Sequence, residues 1–168
     1  MTYKIDFSAE YEIRSATLAD LDKLSWAIVD LKGSYYKEKW AKKEQEMLDM
    51  YVAVINDFPI GYIWLDWSEL KDNRTGEIST FTVLEPFRSK GIGQIMMAKM
   101  ENILLEKGLK IAKTGANKEN LRAIKLYEKL GYKITGEKQS SGTHTLSNGE
   151  NINYFEDCWV MTKKLAEL

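Results

Sequence analysis

The chain reads as one α/β (α+β) domain, and three features predict it. Residues 77–83 form a β-branched and aromatic run that passes through a glycine-bearing turn into a helical pattern ending near Lys107. Ahead of it, residues 50–55 and 60–67 read as two strands of a hairpin. After it, residues 109–116 read as a strand whose helical crossover is long enough for parallel pairing with 77–83. The whole order is strand, helices, three strands, helix, strand, helix, two strands, which gives a mixed sheet of about seven strands. A length of 168 residues suits a single domain over 1–168.

Residues 1–9 precede this pattern as an N-terminal arm in which Tyr3, Ile5 and Phe7 alternate with polar residues. Residues 11–14 read as the first strand, and Thr17 followed by Asp20 as a capped helix start. Leu18, Leu21, Leu24, Ile28 and Leu31 then mark one buried helical face. The aromatic-rich residues 34–40 follow Gly33, and a second short helix runs to about Leu48. In the hairpin, residues 56–59 form a four-residue turn; Tyr62, Trp64 and Asp66 share one sheet face, and Ile63, Leu65 and Trp67 the other. A polar stretch, 68–75, leads to the 77–83 strand. The last strands, 132–138 and 155–163, are joined by 139–154, where Asn148-Gly149 is a hairpin-turn signal and predicts a projecting ribbon.

The turn carries the chemistry. Arg88-x-x-Gly91-x-Gly93 puts two residues without a Cβ at a helix entrance, where backbone N–H groups lack intrahelical acceptors. The helix dipole, Arg88 and Lys90 add positive charge, so the site suits a phosphate. Other phosphate loops are excluded: no Gly-Lys-Ser/Thr run is present, and the third glycine of a dinucleotide fingerprint is replaced by Met96.

Val83-x-x-Pro86-x-Arg88-x-x-Gly91-Ile92-Gly93 resembles motif A of the GNAT superfamily of acetyl-CoA-dependent N-acetyltransferases. The run from Asn120 to Tyr132, Asn-Leu-Arg-Ala-Ile-Lys-Leu-Tyr-Glu-Lys-Leu-Gly-Tyr, is similar to motif B at the expected distance. Two motifs in order are far more specific than either alone. The resemblance implies a mostly antiparallel twisted sheet, splayed at the cofactor site, with helices on both faces. It implies that Phe81, Thr82 and Val83 offer backbone to the pantetheine arm, and that the turn Arg88, Ser89, Lys90, Gly91, Ile92, Gly93 and Gln94 holds the pyrophosphate. Asn120, with Asn117 beside it at the helix entrance, and the small Ala123 approach the cofactor in the same reading. Tyr127, one turn after Ala123, becomes the acid that protonates the leaving thiolate, aided by position or a lowered pKa. Glu77 is the candidate base, its pKa raised beside an apolar strand; ordered water is the alternative.

Charge and composition bound the partners. A formal net charge of -1 gives nucleic acid or an anionic membrane no global attraction. No apolar run spans a bilayer, and no cofactor metal is expected. The single Cys158 makes no internal disulfide, reads as buried filler and fits a reducing cytoplasm, while the only histidine, His144, falls in a polar loop. Expected partners are acetyl-CoA and an amine acceptor, either a small amine or polyamine or a protein N-terminus or lysine. A non-catalytic acyl-CoA-binding module is the rival of a different class. In the family the first helical hairpin borders the acceptor, so Tyr35, Tyr36 or Trp40 are candidates for a pocket wall. Exposed aromatics such as Trp40 and Trp67 also suit a homodimer interface, which the sequence does not decide.

Overall fold

The computed structural model describes residues 9–27, 34–67, 74–145 and 150–165, with the side chains of 34–37 and 144–145 outside the description. One sheet runs in the order β1-β2-β3-β4-β5-β7-β6. Its strands are β1 (Glu12–Ser15), β2 (Leu48–Ile55), β3 (Phe58–Asp66), β4 (Thr75–Val83), β5 (Ile111–Asn117), β6 (Lys133–Thr145) and β7 (Asn151–Lys164). Neighbours are antiparallel except β4 and β5, which α3 (Ile92–Glu106) connects by a crossover. The remaining helices are α1 (Leu18–Lys23), α2 (Ser34–Glu44) and α4 (Leu121–Lys129).

Alternation along β3 divides the core in two. Tyr62 and Trp64 pack with Leu24, Leu48, Met50 and Val52 on the side of α1 and α2. Ile63, Leu65 and Ile78 pack instead with Met96, Met100 and Leu104 of α3 and with Ile124 and Tyr127 of α4. The site described below draws Phe81, Val83, Ala123 and Tyr127 from the second of these layers.

α3 follows its sequence pattern closely. Gly91 caps its start, and Gly108, in the left-handed region at φ 80°, follows Lys107 at its end. The start of α1 also matches: the Thr17 N–H and hydroxyl both donate to Asp20 Oδ2, at 2.7 and 2.8 Å. Arg14 clamps the same carboxylate through both terminal nitrogens, at 2.7 and 2.9 Å. Burial pushes the Asp20 carboxyl up, but these bonds together outweigh it and hold the group at about 2.

Several boundaries differ from expectation. α1 gives way to a 3-10 turn over Leu24–Trp26, and Leu18 is exposed instead of facing the core; Ile28 and Leu31 lie outside the described residues. α2 begins within the aromatic segment and stops before Leu48, because Glu46 is left-handed at φ 57° and Met47 N–H returns to Lys42 O at 2.9 Å, a helix-ending motif. The hairpin turn is two residues, not four: Asn56 and Asp57 have φ of 47° and 60°, and Phe58 already pairs with Ile55. β6 and β7 run past their expected ends into the linking segment and pair from Lys133↔Thr162 to Thr145↔Asn151, so the projecting ribbon is built of regular strands; residues 146–149, with the expected turn, are outside the description.

Candidate active site

The turn after β4 is built from local constraints. Pro86 sits in a short 3-10 turn, Glu85–Phe87, and the Leu84 N–H donates to Ile60 O at 2.8 Å. Arg88 Nε donates to Val83 O at 2.7 Å, so this cation also ties the turn to the strand it leaves. Ser89 and Gly91 are left-handed, with φ of 62° and 85°. Gly91 O accepts from Gln94 and Ile95, which leaves the Ile92 and Gly93 N–H groups ahead of the first intrahelical bond. The two glycines serve different ends. A Cβ on Gly91 would meet nothing within 4 Å, so its requirement is conformational, whereas a Cβ on Gly93 would lie 2.9 Å from the Phe81 ring.

The sheet splits beside this turn. β4 and β5 pair in parallel from Thr75↔Ile111 to Ile78↔Thr114 and no further, while β5 continues against β7 to Asn117↔Cys158. β4 carries a bulge at the divergence: Ser79 faces Trp64 and Thr82 faces Tyr62, so Thr80 and Phe81 oppose Ile63 alone. Thr80 takes φ 43°, a costly conformation for a β-branched residue. A bulge bends its strand, and the bend accounts for β4 leaving β5.

The resulting cleft has a volume of about 520 Å³ and is lined by Phe81, Thr82 and Val83 of β4, by Arg88, Ser89, Gly91, Gly93 and Gln94 of the turn, and by Asn120, Ala123 and Tyr127. Asn120 Oδ1 accepts the Ala123 N–H at 3.1 Å and caps α4. Arg122 Nη2 donates to Ser89 Oγ at 3.1 Å and joins the start of α4 to the turn. Tyr127 is 4% exposed and has its ring centroid 5.8 Å from that of Tyr132. Burial pushes its phenol up, partly opposed by the nearby Thr114 hydroxyl, so the lowered value considered from sequence is replaced by a raised one and the group stays protonated at neutral pH.

Glu77 stands apart from the cleft lining. It is cross-strand from Asp66 on one side and Lys113 on the other, on the sheet face that carries Trp64. Its carboxylate pairs with Lys113 at 2.6 Å and Lys138 at 3.4 Å. Three further candidates are also off the lining: Lys90, Ile92, whose side chain is buried in the core, and Asn117, whose Oδ1 accepts the Glu119 N–H at 2.9 Å.

Phe87, Arg122, Lys125, Leu126 and Lys129 line the cleft as well. The three cations recur on α4 at a spacing of three and then four residues, a one-face pattern that was available in the sequence. Lys118, the other cation near this entrance, is held by Glu137 and Asp157 at 2.5 and 3.0 Å.

Trp40 is half-buried against the α1/α2 core and donates to Glu44 at 3.0 Å, and Trp67 is half-buried and donates to Asp49 at 3.1 Å, so both are less exposed than expected. The side chains of Tyr35, Tyr36 and His144 lie outside the description. Cys158 is buried, and burial pushes its thiol up. Among the described residues no group of three or more His, Cys, Asp or Glu could hold a metal ion, and no helix is long and apolar enough to cross a membrane.

A split strand edge beside a cationic helix entrance defines the class of proteins that hold a phosphorylated, extended cosubstrate. The comparisons make the class specific. The profile of the Acetyltransferase (GNAT) family matches residues 15–132, and the chain belongs to that family of acetyl-CoA-dependent transferases. It is 31% identical over 144 residues to an N-alpha-acetyltransferase of Sulfolobus acidocaldarius, covering 73% of this chain and 80% of the relative. It is 29% identical over 136 residues to an uncharacterized N-acetyltransferase of Methanocaldococcus jannaschii, covering 73% of this chain and 60% of that relative's length. The fold matches an N-acetyltransferase from Staphylococcus aureus Mu50 with TM-score 0.71 at 19% identity, over 94% of this chain and 100% of that one. It also matches a GNAT family acetyltransferase from Elizabethkingia anophelis with acetyl-CoA bound, with TM-score 0.65 at 20% identity, over 92% and 98% of the two chains.

Proposed function

We propose that this chain moves the acetyl group of acetyl-CoA directly to a primary amine of a small molecule, in the cytoplasm. The observation that carries the reading is the divergence of β4 and β5 after Ile78↔Thr114, with Tyr127 on one side of it and Glu77 on the other. Acetyl-CoA fits this chain by two features: the open space over Gly91, and the β4 edge that leaves β5 beyond Ile78. When bound, it supplies an acyl group activated as a thioester.

The residues divide the remaining work. The Ile92 and Gly93 N–H groups, with Arg88, Arg122, Lys125 and Lys129, face phosphate charge. The Phe81–Val83 backbone offers strand-edge hydrogen bonds to an amide-bearing arm. Tyr127 holds a proton at its phenolic oxygen at the cleft floor, where a leaving sulfur needs one. Glu77, on the opposite face, takes the proton released by the amine directly or through water. Lys113 and Lys138 beside Glu77, and Lys39 at 5.3 Å from the Trp64 ring centroid, make this face a poor host for a polycation, so a monoamine fits better than a polyamine. A second acceptor class, protein N-termini, is favoured by the S. acidocaldarius relative, whose name is N-alpha-acetyltransferase.

Thiol release from acetyl-CoA with a panel of monoamines, polyamines and N-terminal peptides tests the reading. Turnover is expected with monoamines ahead of polyamines, and a preference for peptides moves the assignment to protein N-termini. Thermal stabilisation by CoA with no thiol release from any acceptor identifies a binding module and refutes the enzyme.

A further inference from the structure

The face that carries Glu77 holds a primary amine of the protein's own. Lys138 stands on β6, the edge strand, with β7 between it and β5. Its Nζ nevertheless lies 3.4 Å from Glu77 Oε1 on β4. A glycine opens the way: a Cβ on Gly115 would lie 3.3 Å from Lys138 Cε and 3.6 Å from its Nζ, so the end of the side chain crosses bare β5 backbone. Gly115 is the first β5 residue past Ile78↔Thr114, the last pair joining β4 to β5. The amine is therefore held where the two strands part, beside the carboxylate assigned to take a proton from the acceptor. Its side chain is 47% exposed, so it is open to reaction. Lys113 supplies an internal contrast. It is closer to Glu77, at 2.6 Å from Oε2, but stands in register with it inside the paired part of the strands.

We propose that Lys138 is a modification site: without an acceptor, the enzyme transfers the acetyl group of its cosubstrate to the Lys138 amine of the same chain. This rests on the acetyl transfer of the preceding section, with Glu77 as base and Tyr127 as acid. The Lys138 ammonium gives one proton to Glu77 or water, and the free amine attacks the acetyl carbonyl carbon. A C–N bond forms and the C–S bond breaks. The sulfur takes the Tyr127 proton, the nitrogen releases its second proton to water, and Tyr127 is reprotonated from solvent. The products are a neutral acetyl-lysine, the CoA thiol and one proton in solution. Acetylation removes the charge of Lys138, so Glu77 is left paired with Lys113 alone.

The test incubates the parent with acetyl-CoA and no acceptor, and follows each lysine by peptide mass spectrometry. Lys138 should gain one acetyl group roughly tenfold or more faster than Lys113, since only a positioned amine reacts quickly. The rate should not depend on protein concentration, and excess CoA, which fills the cleft, should suppress it. Tyr127→Phe should slow it roughly a hundredfold. In ligand-free protein carrying 13C-lysine, the Lys138 Cε resonance, assigned by its loss in Lys138→Arg, should move in Glu77→Gln. Labelling of Lys138 no faster than of Lys113, labelling that rises with protein concentration or persists in excess CoA, or an unmoved Cε resonance would overturn the proposal. Turnover of an added monoamine without labelling of Lys138 removes the self-acetylation and leaves the proposed function standing. Neither labelling nor turnover removes both.

Discussion

The two faces of the sheet are held by different means. On the α3/α4 face the site follows from backbone requirements: the left-handed Gly91, the Asn120 cap, and the fixed step from Ala123 to Tyr127. On the α1/α2 face the equivalent positions depend on side chains brought from distant strands: Glu77 is held by Lys113 and by Lys138, which is 61 residues away. A face specified by backbone geometry leaves a readable local pattern, and one specified by long-range ion pairs does not. In the proposed function the first face would serve the cosubstrate and the second the acceptor.

Four substitutions probe that contrast. The largest effect is expected from Tyr127→Phe, which should lower kcat roughly a hundredfold, as loss of a general acid does, while acetyl-CoA affinity measured by calorimetry holds. An unchanged rate would take the chemistry away from the α4 face. Gly76→Ala probes packing at the paired end of β4, where a Cβ would lie 2.2 Å from Leu104 Cδ2 and 2.9 Å from Leu109 Cδ1. Overpacking there should cost about 2 kcal/mol in denaturant unfolding and leave kcat per folded molecule intact.

Asp20 tests the rim of the α1/α2 face through pH. Its carboxyl is held at about 2, below its ordinary 3.8, so its contribution is complete above about pH 4 and is lost as pH falls toward 2. The parent should lose about 1 kcal/mol across that window from this group, and Asp20→Asn should show a correspondingly flatter unfolding profile. Equal slopes would show that the Arg14 clamp is not what depresses the group. The smallest effect is expected from Arg122→Ala, which should weaken acetyl-CoA binding a few-fold and more at low salt than at high, since this exposed guanidinium also bonds Ser89.

The sequence carried the turn from Val83 to Gly93 and the helix from Asn120 to Tyr127 because each needs particular residue types at fixed steps. The bulge at Thr80 had no such signal: its left-handed φ arises in a threonine, against local preference, and only the paired strands show it. The reason for Gly93 was hidden as well, since the Phe81 ring that fills the space lies across the strand-to-helix turn. Leu18 kept helical spacing yet faces solvent, because α1 ends after a turn and a half and buries Leu24 instead. The cations on α4 were legible by spacing, but surface charge gives the same pattern.

The most direct test is amide hydrogen exchange with and without CoA. Binding should protect the N–H groups of Phe81 to Val83, Ile92 and Gly93 while leaving the paired end at Thr75 to Ile78 unchanged. Protection confined to other segments, with no change at the divergence or the helix entrance, would contradict the assignment of the cleft between β4 and β5 as the acetyl-CoA site.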